Sequence, residues 1–175
     1  SGCEFLLTPE MSASGYGGYP EVLATAEEAG KGPIFSGLKK IAEESGLTVA
    51  AGFAEKEGEK NYIAHYCVFP DGNFCVTQKH RVTPAEFPLT PAVRLYYDET
   101  EEIGHVYEGE ERFTLFTVKG IPCAIVICAD WGIKDILGKL QRRGVRFVML
   151  VTGAGGKRED RYSLAELRDK NNAEL

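Results

Sequence analysis

The stretch Gly120-Ile121-Pro122-Cys123-Ala124-Ile125-Val126-Ile127-Cys128-Ala129-Asp130-Trp131-Gly132 decides the fold. Ala124 to Ile127 is a continuous apolar run, the pattern of a strand buried on both faces. Beyond it, Ile133, Ile136, Leu137 and Leu140 recur at helical spacing, and Gly144 ends that helix. Val145 to Val151 is a second continuous apolar strand. Two buried strands joined through a helix predict α/β layering.

Working outward, Phe113 to Val118 reads as a strand joined to Pro122–Cys128 by a tight Lys119-Gly120 turn. Tyr62 to Phe69 and Phe74 to Gln78 flank Pro70-Asp71-Gly72-Asn73, a strong hairpin signal. Leu47 to Ala54 is β-branched and apolar, and reads as a strand. Pro33 opens a helix carrying Ile34, Leu38 and Ile41, which Gly46 stops. Cys3 to Leu7 is a short strand ending at Thr8-Pro9, followed by a Gly-, Ser- and Tyr-rich loop from Met11 to Pro20. Arg81 to Glu111 shows little periodicity and reads as a long loop with one short element; loops of that length are usually functional or mobile. After the Gly-rich loop Thr152 to Gly156, Ser163 is placed to cap a last helix running towards Asn172. A buried strand within the first few residues and a helix with no strand after it predict a fold incomplete at both ends.

Bulk properties narrow the function. A length of 175 residues suits one domain spanning 1–175, and 43% hydrophobic with 26% charged residues is ordinary for a soluble globular protein. The net charge of −6 and the lack of a basic cluster argue against nucleic acid, which demands grouped Lys and Arg. Arg142, Arg143 and Arg146 sit at an expected helix end, where cations offset the helix dipole. No apolar run is long enough for a bilayer. The five cysteines, Cys3, Cys67, Cys75, Cys123 and Cys128, contain no C-x-x-C pair, so zinc and redox-dithiol motifs are weak. Thiols in apolar segments suit a reducing, cytoplasmic setting.

Three residues combine chemistry with position. Cys128 stands at the C-terminal tip of a buried strand before a helix, where active sites of α/β sheets collect and where a helix N-terminus lowers thiol pKa. A packed core thiol is the competing reading, since free Cys is often buried. Cys123, five residues earlier on the same strand, is expected by period-2 alternation to face the opposite side of the sheet. Glu10 follows the strand Phe5-Leu6-Leu7, and Lys79 ends the second hairpin arm; each alone reads equally as a surface charge. Glu86 lies seven residues beyond Lys79. As a set they are an acid, a lysine and a cysteine, each at a strand end.

In this order the segments resemble the nitrilase superfamily of carbon–nitrogen hydrolases. Phe5-Leu6-Leu7-Thr8-Pro9-Glu10 through Gly15-Tyr16 is similar to its glutamate block. Asp71-Gly72 with Lys79-His80 and Pro84-Ala85-Glu86 resembles its lysine block, and Gly120-Ile121-Pro122 through Cys128-Ala129-Asp130 its cysteine block. Gly144 to Leu150 resembles the strand after the nucleophile helix, and Leu167 to Asn171, more loosely, the helix after that. The chain departs from the family pattern at Trp131-Gly132, at Lys134-Asp135 and at Gly138, positions that bear on substrate class.

The resemblance implies an α-β-β-α sandwich, incomplete at both ends in this chain. It also implies a hydrolase cleaving an amide, nitrile or carbamoyl C–N bond of a small molecule, with amides favoured. Glu10 would serve as proton acceptor, Cys128 as nucleophile and Lys79 with the Ala129 N–H as oxyanion donors; Glu86 would orient Lys79 or the substrate. No metal or organic cofactor is implied. His65, His80 and His105 have no role there, and His80 reads as a solvated loop residue. Homo-oligomers are common in the family, and the Ile133, Ile136, Leu137 and Leu140 stripe is a candidate for both core and interface. Two other readings remain: a non-catalytic interaction protein that keeps the fold, and a redox-sensing thiol at Cys128.

Overall fold

The structure is a computed structural model that describes residues 2–83, 86–92, 94–96, 106–108 and 113–153. The helix expected from Ser163 and much of 81–111 lie outside these residues. Strands β1 (Phe5–Leu7), β2 (Thr48–Glu57), β3 (Lys60–Val68) and β4 (Phe74–Gln78) form one sheet in the order β1-β2-β3-β4. Strand β1 runs parallel to β2, and the other pairs are antiparallel. Strands β5 (Arg94–Tyr96) and β6 (Val106–Glu108) form a small antiparallel pair inside the stretch read as a loop. A second sheet joins β7 (Leu115–Val118), β8 (Ile121–Ile127) and β9 (Phe147–Val151); β7 is antiparallel and β9 parallel to β8.

The two sheets face each other across one core. Ala50, Ala54, Ile63 and Cys67 from the first sheet pack with Phe116, Cys123, Ile125, Ile127, Met149 and Val151 from the second. Each outer face is covered by a helix. On the first sheet, Phe35 and Ala42 of α2 (Pro33–Ser45) bury against Val49, Phe53, Ala64, Tyr66 and Val68. On the second, Ile136 and Leu140 of α3 (Ile136–Arg142) bury against Ala124 and Val126. Period-2 alternation along each strand feeds both layers, so near-continuous apolar strands are required. The result is an α-β-β-α sandwich with the architecture expected of a nitrilase-like α/β fold.

Helix α2 is held by a residue far outside it. The Glu27 carboxylate accepts N–H bonds from Ile34 and Phe35, both at 2.8 Å, and a 3.1 Å bond from Tyr66 Oη. An anion at a helix N-terminus satisfies orphan donors and complements the dipole. Gly32 is necessary there, because a Cβ would lie 2.0 Å from the Glu27 carboxylate. Pro33 supplies the first helical residue, and Gly46 closes the helix in the left-handed conformation at φ 68°.

Several details differ from the reading of the sequence. A short helix, α1 (Pro20–Leu23), follows the Gly-rich loop. Strand β2 continues three residues past Ala54, because Glu55, Lys56 and Glu57 keep their ladder with β3 despite their polarity. The apolar stripe after Cys128 is divided: Ile133, Ile136 and Leu140 are core, and Leu137 points outward with 48% exposure. Cys123 does not face away from Cys128. Cys123, Ile125 and Ile127 point into the inter-sheet core, and Cys128, lying beyond the strand, packs against that core too. Among the described residues no helix is long and apolar enough to cross a membrane.

Candidate active site

Lys79 follows β4 directly, and the antiparallel ladder fixes its backbone through an N–H bond to Ile63 O at 2.8 Å. Its side chain turns inward and is fully buried. Nζ donates to Glu10 Oε1 at 2.7 Å and to Glu86 Oε1 at 2.6 Å, and both carboxylates are as buried as the lysine. Burial by itself would strip the proton from Lys79; the two carboxylates outweigh it and hold the ammonium above its ordinary pKa.

Glu10 reaches this position because the turn after β1 crosses flat over β2. Gly52 on β2 makes that possible: a Cβ there would sit 2.2 Å from Met11 N. Ala13 N–H then bonds Gly52 O at 2.9 Å. The second Glu10 oxygen, Oε2, accepts the N–H of Gly153 at 2.8 Å, tying the end of β1 to the loop after β9. Glu86 is braced in the same way, with Oε1 accepting Tyr16 Oη at 2.8 Å and Oε2 accepting Thr83 N–H at 2.7 Å. Burial and the neighbouring Glu86 carboxylate push the Tyr16 phenol well above its usual pKa, so it is a donor there. The Tyr16 ring lies over Gly153, where a Cβ would come within 2.6 Å of the ring.

Cys128 takes the first position after β8, half-buried, with a left-handed φ of 47°. A non-glycine residue in that region carries strain of about 1–3 kcal/mol. The turn it opens, Cys128–Gly132, is a single 3-10 segment rather than the start of an α-helix. Thr152 Oγ1 donates to its sulfur at 3.6 Å. Burial raises the thiol pKa, Lys79 and Thr152 lower it, and Glu10 and Glu86 raise it, for a net upward shift. The sequence reading expected a thiolate favoured by a helix N-terminus near neutral pH; desolvation and the two carboxylates reverse that expectation. Alkylation of Cys128 by iodoacetamide should therefore climb with pH through and above the range of an ordinary free thiol. Lys79→Ala should move that profile to still higher pH, since the cation that lowers the thiol pKa is lost. A profile centred below pH 7 would contradict this.

The structure thus joins Glu10, Lys79 and Glu86 by direct bonds and sets Cys128 within reach of their charges. Ala129 occupies the second position of the Cys128 turn. His80 is not a solvated loop residue. It is fully buried, packs its ring at a tilt against Phe113 with centroids 4.4 Å apart, and approaches Asp130 Oδ2 through Nδ1 at 3.2 Å. Asp130 itself had no assigned role in the sequence reading. Its buried carboxylate accepts the N–H of His80 at 3.0 Å and of Arg81 at 2.8 Å, clamping the residues after Lys79 to the turn after Cys128. Its spacing of two residues from the cysteine was the one sequence signal that marked it. Tyr16 closes the glutamate block of the resemblance without an assigned role, and Gly153 lies in the Gly-rich loop Thr152 to Gly156.

Two of the departures from the family pattern, Gly132 and Gly138, sit where a side chain would be crowded. Gly132 leaves room for Arg81, whose Nη1 would lie 2.5 Å from a Cβ. At Gly138 a Cβ would meet the Asp135 carboxylate at 2.2 Å, and Asp135 instead accepts Arg142 Nη2 at 2.8 Å.

Comparison with known proteins agrees with this architecture. The carbon–nitrogen hydrolase family model matches residues 1–164, and the chain belongs to that family. An amidase from Nesterenkonia sp. superposes with a TM-score of 0.69 at 21% identity, covering 90% of this chain and 54% of that one. A cysteine-to-alanine variant of the Nesterenkonia sp. AN1 amidase in complex with butyramide gives 0.69 at 19% identity, covering 90% and 55%. A CN-hydrolase superfamily protein from Xanthomonas campestris, with an arsenic adduct in its active site, gives 0.63 at 15% identity, covering 89% and 54%. The chain therefore spans about half the length of these structures. Comparison with curated proteins by sequence returns no match.

Proposed function

We propose that the protein hydrolyses a C–N bond of a small molecule through a thioester on Cys128, with amides as the preferred class. The observation that carries this reading is the buried Glu10–Lys79–Glu86 cluster beside Cys128. Because the resting thiol is held protonated, attack needs a base, and Glu10 is the carboxylate that takes the proton as sulfur bonds to the carbonyl carbon. An ammonium has three N–H donors. Glu10 and Glu86 take two, which leaves the third, with the Ala129 N–H, for the developing oxyanion. Glu10 then returns its proton to the leaving amine, and the C–N bond breaks to give a thioester. Water activated by Glu10 hydrolyses the thioester and frees the carboxylic acid. Glu86, locked by Tyr16 and Thr83, keeps Lys79 aimed.

The amide preference is supported by the fold's likeness to amidases, one of them in complex with butyramide. Nitriles and carbamoyl compounds demand the same nucleophile and remain the competing substrates. The test is ammonia release over a panel of short aliphatic amides, nitriles and ureides, with the wild type and Cys128→Ala side by side. Turnover of amides that vanishes in the variant is the expected outcome. A silent panel with an unreactive Cys128 would instead favour a non-catalytic interaction protein built on this fold.

A further inference from the structure

Outside the site, two more thiols are brought together by the sheet. Cys67 on β3 and Cys75 on β4 are directly opposite in the antiparallel register. Residues directly opposite project to the same face, and both side chains pack against the inter-sheet core. The pairs Phe69–Asn73 and Ile63–Lys79 are hydrogen-bonded, each at 2.8 Å, and the ladder alternates, so Cys67–Cys75 is a hydrogen-bonded pair as well. Such pairs have Cα atoms about 5.5 Å apart, inside the range of roughly 4.4–6.8 Å that a disulfide spans. Their Cβ atoms are set wider than in a non-hydrogen-bonded pair, so closure draws the two strands together at this rung to reach the Cβ separation of about 3.5–4.5 Å that the bond needs. Both are free thiols, Cys67 buried and Cys75 partly open to solvent. The acidity of each is set first by the other: Cys67 is pushed up and Cys75 drawn down. The sulfur of Cys128 is met instead by Thr152 Oγ1.

We propose that Cys67 and Cys75 form a two-electron redox site, separate from Cys128, that closes to a cross-strand disulfide on exposure to a peroxide. Cys75, the more open thiol, reacts first. Its sulfur attacks one peroxide oxygen, the O–O bond breaks, water leaves, and Cys75 becomes a sulfenic acid. The Cys67 sulfur then attacks the Cys75 sulfur, the S–O bond breaks, and a second water leaves. Two thiols and one hydrogen peroxide thus give one disulfide and two waters, the thiols losing the two electrons that the peroxide gains. Because β4 runs directly into Lys79, the cross-link staples the hairpin that carries the site's lysine.

The experiment treats the wild-type protein and Cys128→Ala with hydrogen peroxide, blocks the remaining thiols, and maps the peptides without reduction. Trypsin combined with cleavage before Asp71 separates residues 61–70 from 71–79. The expected result is that these two peptides stay joined in both proteins, that dithiothreitol parts them, and that Cys75→Ser leaves Cys67 as a free thiol. Cys67 left fully alkylatable while Cys75 is over-oxidised would overturn the proposal. So would a link from Cys67 to Cys123 across the sheets. If Cys75→Ser does not fold, the wild-type map decides alone.

Discussion

Lys79→Ala should lose both stability and turnover, with the larger stability effect of any single change at the site. The substitution removes the ammonium that bonds two fully buried carboxylates, Glu10 and Glu86, at 2.7 and 2.6 Å. Breaking a buried ion pair by deleting one partner typically costs about 3–5 kcal/mol, because the remaining charge is stranded away from water. Here two like charges are stranded together. Urea denaturation followed by fluorescence should show a fall of at least that size. Activity should drop by at least about a thousandfold, since removing one member of a catalytic unit disables the whole. Stability within about 1 kcal/mol of wild type would mean that the carboxylates do not depend on Lys79.

Asp130→Ala should uncouple the two loops that carry Lys79 and Cys128. It deletes an acceptor for two buried backbone N–H groups, those of His80 and Arg81. Each donor left unsatisfied costs about 1–3 kcal/mol. The kinetic effect should appear in kcat rather than KM, because Asp130 lies behind the reacting groups and acts by placing them. A misplacement of about 1 Å can cost on the order of a hundredfold in rate. Asp130→Asn, which keeps an oxygen acceptor, should recover part of both losses. A stability loss with unchanged kcat would make Asp130 a purely structural residue.

Much of the layering was legible in the sequence because it rests on local pattern. The apolar run Ala124–Ile127, the Pro70–Asn73 hairpin and the helix between Pro33 and Gly46 each follow from periodicity and turn chemistry. The family blocks then singled out Glu10, Lys79, Glu86 and Cys128, none of which stands out from ordinary surface or core residues alone. What stayed hidden is tertiary. Tyr16, Gly153 and Asp130 act through hydrogen bonds to residues between 49 and 143 positions away. No local pattern records such a bond. The facing of Cys123 was misjudged because strand alternation was carried through Cys128, where the backbone had already turned left-handed. The acidity of Cys128 was misjudged because the sequence shows a turn after the strand but not the burial or the paired carboxylates that outweigh it.

The central claim is that Cys128 carries the acyl group of the substrate during turnover. The direct measurement is to incubate the protein with butyramide, quench it in acid and read its mass, then that of the peptide containing Cys128. The expected result is a butyryl adduct on Cys128 that is labile to hydroxylamine and is lost, together with ammonia release, in Cys128→Ala. Ammonia release that continues in Cys128→Ala, with no adduct on any cysteine of the wild type, would contradict it.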